Sequence, residues 1–165
     1  MLYKNILIIA LPRSGGTAVM KDLAEENNLT SRFEPELQSD IVEPKNDVTK
    51  VIVDRFKLSD LYDLALKYEK IILHSRRDSI ACSESLAYMH WFQGKDGLAL
   101  SPWSDGLLNT IPKWYIEQTR HRIDHSKNLL LLISRKLNIE VQYYEDVFDM
   151  SSSSRLRNYT KASLV

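Results

Sequence analysis

The feature that most constrains this chain is the stretch Ile6-Leu7-Ile8-Ile9-Ala10-Leu11-Pro12-Arg13-Ser14-Gly15-Gly16-Thr17. A near-continuous apolar run of this length reads as a strand buried on both faces, which is the signature of a parallel sheet wrapped by helices. The run breaks into a small-residue turn directly before a helical pattern. Two glycines allow backbone N–H groups to approach an anion closely, and the following helix turns its positive end toward the same point. Arg13, Ser14 and Thr17 add a permanent cation and two hydroxyls, with Ala18 next in the first helical turn. The layout predicts a phosphate-binding loop at the carboxyl end of a strand.

Strand-like and helix-like segments alternate after this point, predicting an α/β fold: a three-layer arrangement with a parallel sheet flanked by helices and a P-loop nucleotide-binding architecture. The chain has 165 residues, which fits one domain over 1–165 with a core large enough to need no staples. The first strand is expected over about 5–11 and its helix over 17–27. The polar stretch 29–46, with Pro35 and Pro44, reads as mostly irregular. A second strand is expected over 48–53, then a helix capped by Ser59 with apolar Leu61, Leu64, Ala65 and Tyr68. A third strand covers 71–74, and Asp78 stands where an N-cap belongs before a helix reaching about Phe92. Residues 94–111 hold three glycines and a proline, long enough for a functional loop. A long helix follows over 112–137, opened by proline, with Ile116, Ile123, Leu130 and Leu137 as its core positions. A fourth strand, 139–144, closes the pattern.

Composition narrows the functional classes. Lys and Arg number 22 against 22 Asp and Glu, so no global field recruits nucleic acid or an anionic membrane. An anion site must arise from local arrangement. The single cysteine, Cys82, allows no intrachain disulfide and fits a reducing compartment. The first apolar run is too short to span a bilayer, and no small-residue cleavage site follows it, so a cytoplasmic protein is expected. No His/Cys/Asp set has the spacing of metal ligands.

The loop is not a Walker A sequence, because no lysine precedes Thr17 and the glycines are adjacent. Pro12-Arg13-Ser14-Gly15-Gly16-Thr17 resembles instead the 5′-phosphosulfate loop of the sulfotransferases, commonly Pro-Lys/Arg-Ser-Gly-Thr-Thr. It departs from that pattern at Gly16, where a threonine is usual. The stretch Ser75-Arg76-Arg77-Asp78 through Ser85 resembles the family's 3′-phosphate motif, an arginine leaving a strand and a serine eight residues later. Arg77 with Ser85 meets that spacing, and Arg76 with Ser83 is the alternative pair. Tyr143-Tyr144-Glu145-Asp146 resembles the family's Tyr-Glu-Asp-Leu, with Tyr144 at the adenine. The resemblance covers about 5–148, although the family's glycine-rich basic loop near the C-terminus is not visible. Arg155, Arg157 and Lys161 are candidates to replace it.

The resemblance implies a sulfotransferase that uses 3′-phosphoadenosine 5′-phosphosulfate (PAPS) as donor and needs no metal. The implied donor site is Arg13, Ser14, Gly15, Gly16, Thr17, Ala18, Arg77, Ser85 and Tyr144. Arg13 would stabilise the leaving group, by charge alone since a guanidinium does not give up its proton. Phe33-Glu34-Pro35 is similar to the Tyr/Phe-Glu-Pro of carbohydrate sulfotransferases, which makes Glu34 the expected base, with Glu36, His74 and His90 behind it. The implied acceptor is a hydroxyl of a small molecule or carbohydrate, and oligomeric state stays open. Two other readings stand beside this one. In a divergent P-loop kinase, Asp54 would hold magnesium. In a non-catalytic module of the same fold, nucleotide would bind without turnover.

Overall fold

The structure is a computed structural model that describes residues 2–33, 44–93, 102–103 and 106–148. Its core is a sheet of five parallel strands in the order β2-β3-β1-β4-β5. The strands are β1 (Ile6–Ala10), β2 (Thr30–Phe33), β3 (Asp47–Ile52), β4 (Lys70–Ser75) and β5 (Val141–Tyr143). β1 is central, with Ile8 opposite Lys50 of β3 on one side and Ile72 of β4 on the other. Every residue of β1 is fully buried, which is why its sequence is continuously rather than alternately apolar.

Alternate side chains of β1 feed two cores, as the two-residue period of a strand requires. Ile6, Ile8 and Ala10 pack with Val19, Met20 and Leu23 of α1 (Gly16–Asn27) and with Tyr144, Val147 and Phe148. Tyr144 to Val147 form a short closing helix, α5. Leu7, Ile9 and Leu11 face the opposite side, against Leu61 and Leu64 of α2 (Leu58–Ala65), Cys82 and Leu86 of α3 (Ser79–Trp91), and Ile123 and Leu130 of α4 (Lys113–Leu137). Full burial of each such side chain contributes about 1.5–3 kcal/mol. The sheet with helices on both faces is therefore the expected α/β arrangement.

Three expectations need correction. The segment read as irregular contains β2, which pairs in parallel with β3 through Thr30 to Phe33, so the described residues hold five strands rather than four. β2 is a four-residue edge strand of Thr-Ser-Arg-Phe, with one apolar side chain and no alternation to betray it. Ser59 does not cap α2. Lys57 is the N-cap, no side chain caps that end, and Ser59 lies inside the helix. β5 ends at Tyr143, so Tyr144 opens α5 instead of closing the strand. Asp78 does cap α3, its carboxylate accepting the Ala81 N–H at 2.9 Å. The long helix begins just after Pro112, and Ile123 and Leu130 are buried on it. No described helix is long and apolar enough to cross a membrane.

Candidate functional site

The chain reverses its direction of travel across the sheet around β1. It reaches β2 and β3 on one side, then passes to β4 and β5 on the other. A crevice opens at the carboxyl ends of the strands at such a point. Here it holds a cavity of about 390 Å³ walled by the loop after β1, the ends of β3 and β4, and the inner faces of α3 and α4.

The loop is shaped by two left-handed residues, Arg13 at φ 57° and Gly15 at φ 85°. A side chain at Gly15 would drive its Cβ to 2.7 Å from the Tyr144 ring, so both dihedral and space demand glycine there. Ser14 is buried and turns inward: its hydroxyl donates to the Leu11 carbonyl at 2.6 Å. Behind the loop, the Ser14 carbonyl takes the Nε2–H of His74 at 2.7 Å, while Nδ1 of His74 accepts from the Gln142 amide at 3.0 Å. Those two bonds fix the neutral tautomer, and burial pushes the imidazole down to about 4. His74 is a strut for the loop, with no proton to exchange at neutral pH. The N-cap Gly15 offers no side chain to cap α1, and Gly16 and Thr17 of its first turn line the cavity, where a helix N-terminus favours an anion.

A cation reaches this cradle from a place the motif does not include. Lys50, on β3, is only 5 % exposed, and its Nζ donates to Thr17 Oγ1 at 2.7 Å. Its stem crosses over Gly16, where an added Cβ would lie 3.1 Å from Lys50 Cδ and 3.0 Å from Ala10 Cβ. The absence of a side chain at Gly16 thus leaves room for an ammonium from the neighbouring strand. Arg13 leaves the loop in a different direction, along α3, where Nε donates to Ser85 Oγ at 2.9 Å and Nη1 to Met89 Sδ at 3.7 Å. This bond joins two positions 72 residues apart.

The paired arginines after β4 part company. Arg76 turns into the cavity, 9 % exposed, with its guanidinium carbon 4.4 Å from the centre of the Tyr144 ring. Its buried Nε–H has no hydrogen-bond partner among the described residues. Arg77 turns outward and is held by Asp146 through two bonds of 2.8 Å. That pairing raises the arginine and holds the Asp146 carboxyl below the usual carboxylate range. Glu145 accepts the Arg77 N–H at 2.8 Å and the Asp78 N–H at 3.3 Å. The Glu145-Asp146 pair thus fastens the turn after β4. The geometry brings Arg76, not Arg77, together with Arg13 and Ser85, while Ser83 lies in the core and donates to the Ser79 carbonyl.

Tyr144 lines the cavity, 4 % exposed, with its ring against Phe148 and Arg76. Ala18 lines it too. Cys82 is buried and its thiol is pushed up to about 12, which makes it inert. Asp54, the magnesium candidate of the kinase reading, is gripped by Arg122 at 2.5 and 3.2 Å and is not on the cavity wall. His90 is on the wall, and desolvation, then Arg122, Arg55 and Arg13, depress its basicity. Glu34, Glu36 and the basic tail with Arg155, Arg157 and Lys161 lie outside the described residues.

Six cations line the cavity, Arg13, Lys21, Lys50, Arg55, Arg76 and Arg122, and no carboxylate does among the described residues. Lys50 and Arg76 carry the signal that motif matching passes over. A lysine in the middle of Val48-Thr49-Lys50-Val51 is out of place in a buried strand unless its charge has a use. Comparison with protein-family models, curated proteins and solved structures finds no match to this chain.

Proposed function

We propose that this chain is a sulfotransferase that takes the sulfuryl group from 3′-phosphoadenosine 5′-phosphosulfate and passes it to a hydroxyl of a small-molecule or carbohydrate acceptor. The observation that carries the reading is the cavity itself. A strand-loop-helix cradle with a buried ammonium at Thr17 and a buried, unpartnered guanidinium N–H at Arg76 suits a ligand with anionic groups at two separated points. A nucleotide phosphorylated at both 5′ and 3′ positions is such a ligand. The volume of about 390 Å³ lies in the range of small-molecule sites.

The donor supplies an activated sulfur, and the residues supply charge and position. The first-turn amides of α1, Thr17 and Lys50 would hold the 5′-phosphosulfate. Negative charge builds on the bridging oxygen as the sulfur departs, and Lys50 opposes it. As an ammonium it can also give up a proton, which Arg13 cannot. Arg13 and Ser85 form the wall beside the transferred group, and Arg76, backed by Tyr144, takes the 3′-phosphate. In this reading the glycines and Thr17 of the loop keep the roles that the resemblance implies, Arg13 yields leaving-group stabilisation to Lys50, Ser85 moves from the 3′-phosphate to the transferred group, and Arg77 yields its role to Arg76. The resemblance suggests Glu34 as the base, and of the alternatives to it His90 is the one that stands on the cavity wall. The buried thiol of Cys82 suits a cytoplasmic setting.

Calorimetric titration with 3′-phosphoadenosine 5′-phosphate, the stable donor product, tests the reading alongside ADP and ATP with and without magnesium. The expected result is micromolar, metal-independent binding that prefers the 3′-phosphorylated nucleotide. Arg76→Ala should weaken it at least about tenfold, the loss of one charge-assisted contact, and Arg77→Ala should leave it nearly unchanged. Preference for ATP with magnesium would support the kinase reading instead.

A further inference from the structure

We infer that the acceptor carries an anionic group of its own, seated on Arg55 and Arg122 with its hydroxyl presented to His90. The part played by the hydroxyl rests on the sulfuryl-transfer reading; the anion subsite rests on geometry alone.

Four of the six cations of the cavity form two pairs. Lys50 and Arg76 serve the cradle and the end of β4. Arg55 follows β3 in a 3₁₀ turn, Val53–Arg55, and Arg122 projects from α4. Asp54 grips Arg122 through Nε and Nη2 and fixes the direction in which its guanidinium plane faces. A fork held in this way from one edge is preorganised for a carboxylate, sulfate or phosphate. Trp103 supplies an apolar wall nearby, its indole N–H anchored to Glu84 at 2.5 Å.

His90 lines the same cavity as Arg55 and Arg122, so charge on those arginines acts on it. The charged groups that act on it are Arg13 from the loop, Arg55 and Asp54 from the turn, and Arg122 from α4. Desolvation first, then Arg122, Arg55 and Arg13, lower its pKa, which favours the unprotonated ring that a base needs. On taking a proton it becomes a cation among three guanidinium groups, which Coulomb repulsion opposes unless anions lie between them. The donor brings negative charge on the Arg13 side, and an anionic acceptor brings it on the Arg55 and Arg122 side. In the transfer the acceptor oxygen bonds to sulfur while the bond from sulfur to the 5′-phosphate oxygen breaks, that oxygen keeping the electron pair. The hydroxyl proton passes to the unprotonated ring nitrogen of His90.

The test uses 4-hydroxyphenylacetate and its neutral amide, which differ in charge and little in shape, each titrated onto protein saturated with 3′-phosphoadenosine 5′-phosphate. The acid should bind at least about tenfold more tightly than the amide, and Arg55→Gln should remove that preference while nucleotide binding stays intact. Equal binding of acid and amide, no binding of either, displacement of the nucleotide by the acid, or a preference that survives Arg55→Gln would overturn the inference. If the nucleotide itself does not bind, the sulfuryl-transfer reading fails, and the same pair titrated onto the free protein and its Arg55→Gln variant decides the anion subsite independently. His90→Gln should keep both binding steps and slow single-turnover transfer to the acid by at least about 100-fold. An unchanged rate would remove His90 from the role.

Discussion

Gly16 and Lys50 illustrate how one residue makes room for another. A threonine at position 16 would match the sulfotransferase pattern that this loop resembles, yet its Cβ would press on Ala10 and on the Lys50 stem at 3.0 and 3.1 Å. Gly16→Thr should therefore destabilise the protein by about 1–3 kcal/mol, the ordinary cost of overpacking. Adding Lys50→Ala should recover part of that loss, because the stem is then gone and only the Ala10 contact remains. Urea denaturation of the four chains of this cycle measures the coupling, and strictly additive effects would show that the two side chains do not share the space. The deviation of the loop from the family pattern was plain in the sequence. Its physical partner was not, because Lys50 lies 33 residues from Thr17 and only strand pairing brings it there.

At the scale of elements, β4 is tied to the loop after β1 through His74. The neutral ring donates to Ser14 and accepts from Gln142, and burial lowers it from about 6.5 to about 4. The unfolded chain binds the proton more readily than the folded one over this interval. Stability from this group is thus complete above about pH 6.5 and is lost as pH falls toward 4. At about 1.4 kcal/mol per unit the full loss is on the order of 3 kcal/mol. Denaturation midpoints measured from pH 7 to 4.5 should fall for the wild type more steeply than for His74→Asn, which starts less stable but cannot titrate. Parallel slopes would mean that His74 is not the group responsible. Elements differ in how legible they are. The continuous apolar run of β1 and the heptad-spaced Ile123 and Leu130 of α4 announce themselves, since each must face a core. β2, a short edge strand, depends on β3 for its hydrogen bonds and carries almost no pattern of its own.

The molecule as a whole has formal net charge +0, yet concentrates six cations on one cavity without a carboxylate among the described lining residues. That segregation is a source of self-repulsion which a bound polyanion relieves. A hundredfold excess over Kd of 3′-phosphoadenosine 5′-phosphate should add about 2.7 kcal/mol of stability by mass action. In a chain of this size that raises Tm by about 5–10 °C. Calorimetric scans should also show the gain shrinking as salt is raised from 0.05 to about 0.5 M, because the interaction is between charges that salt screens. A gain independent of salt would argue for an apolar ligand mode.

Local information was enough to place the Arg13-Ser14-Gly15-Gly16 loop at a strand end, to assign the α/β class and to identify Asp78 as a helix cap. Each of these follows from hydrophobic period, glycine placement and side-chain chemistry within a few residues. Tertiary structure alone decided which of two adjacent arginines enters the cavity. Arg76 and Arg77 are equal as sequence, but the strand end sends consecutive side chains to opposite sides, and Asp146, 69 residues on, captures the outward one. It likewise decided that the cradle's ammonium comes from β3 and that Arg13 lies against Ser85. Charge and hydrogen bonding act through space at a few ångströms, while the spacings that a sequence displays run along the chain.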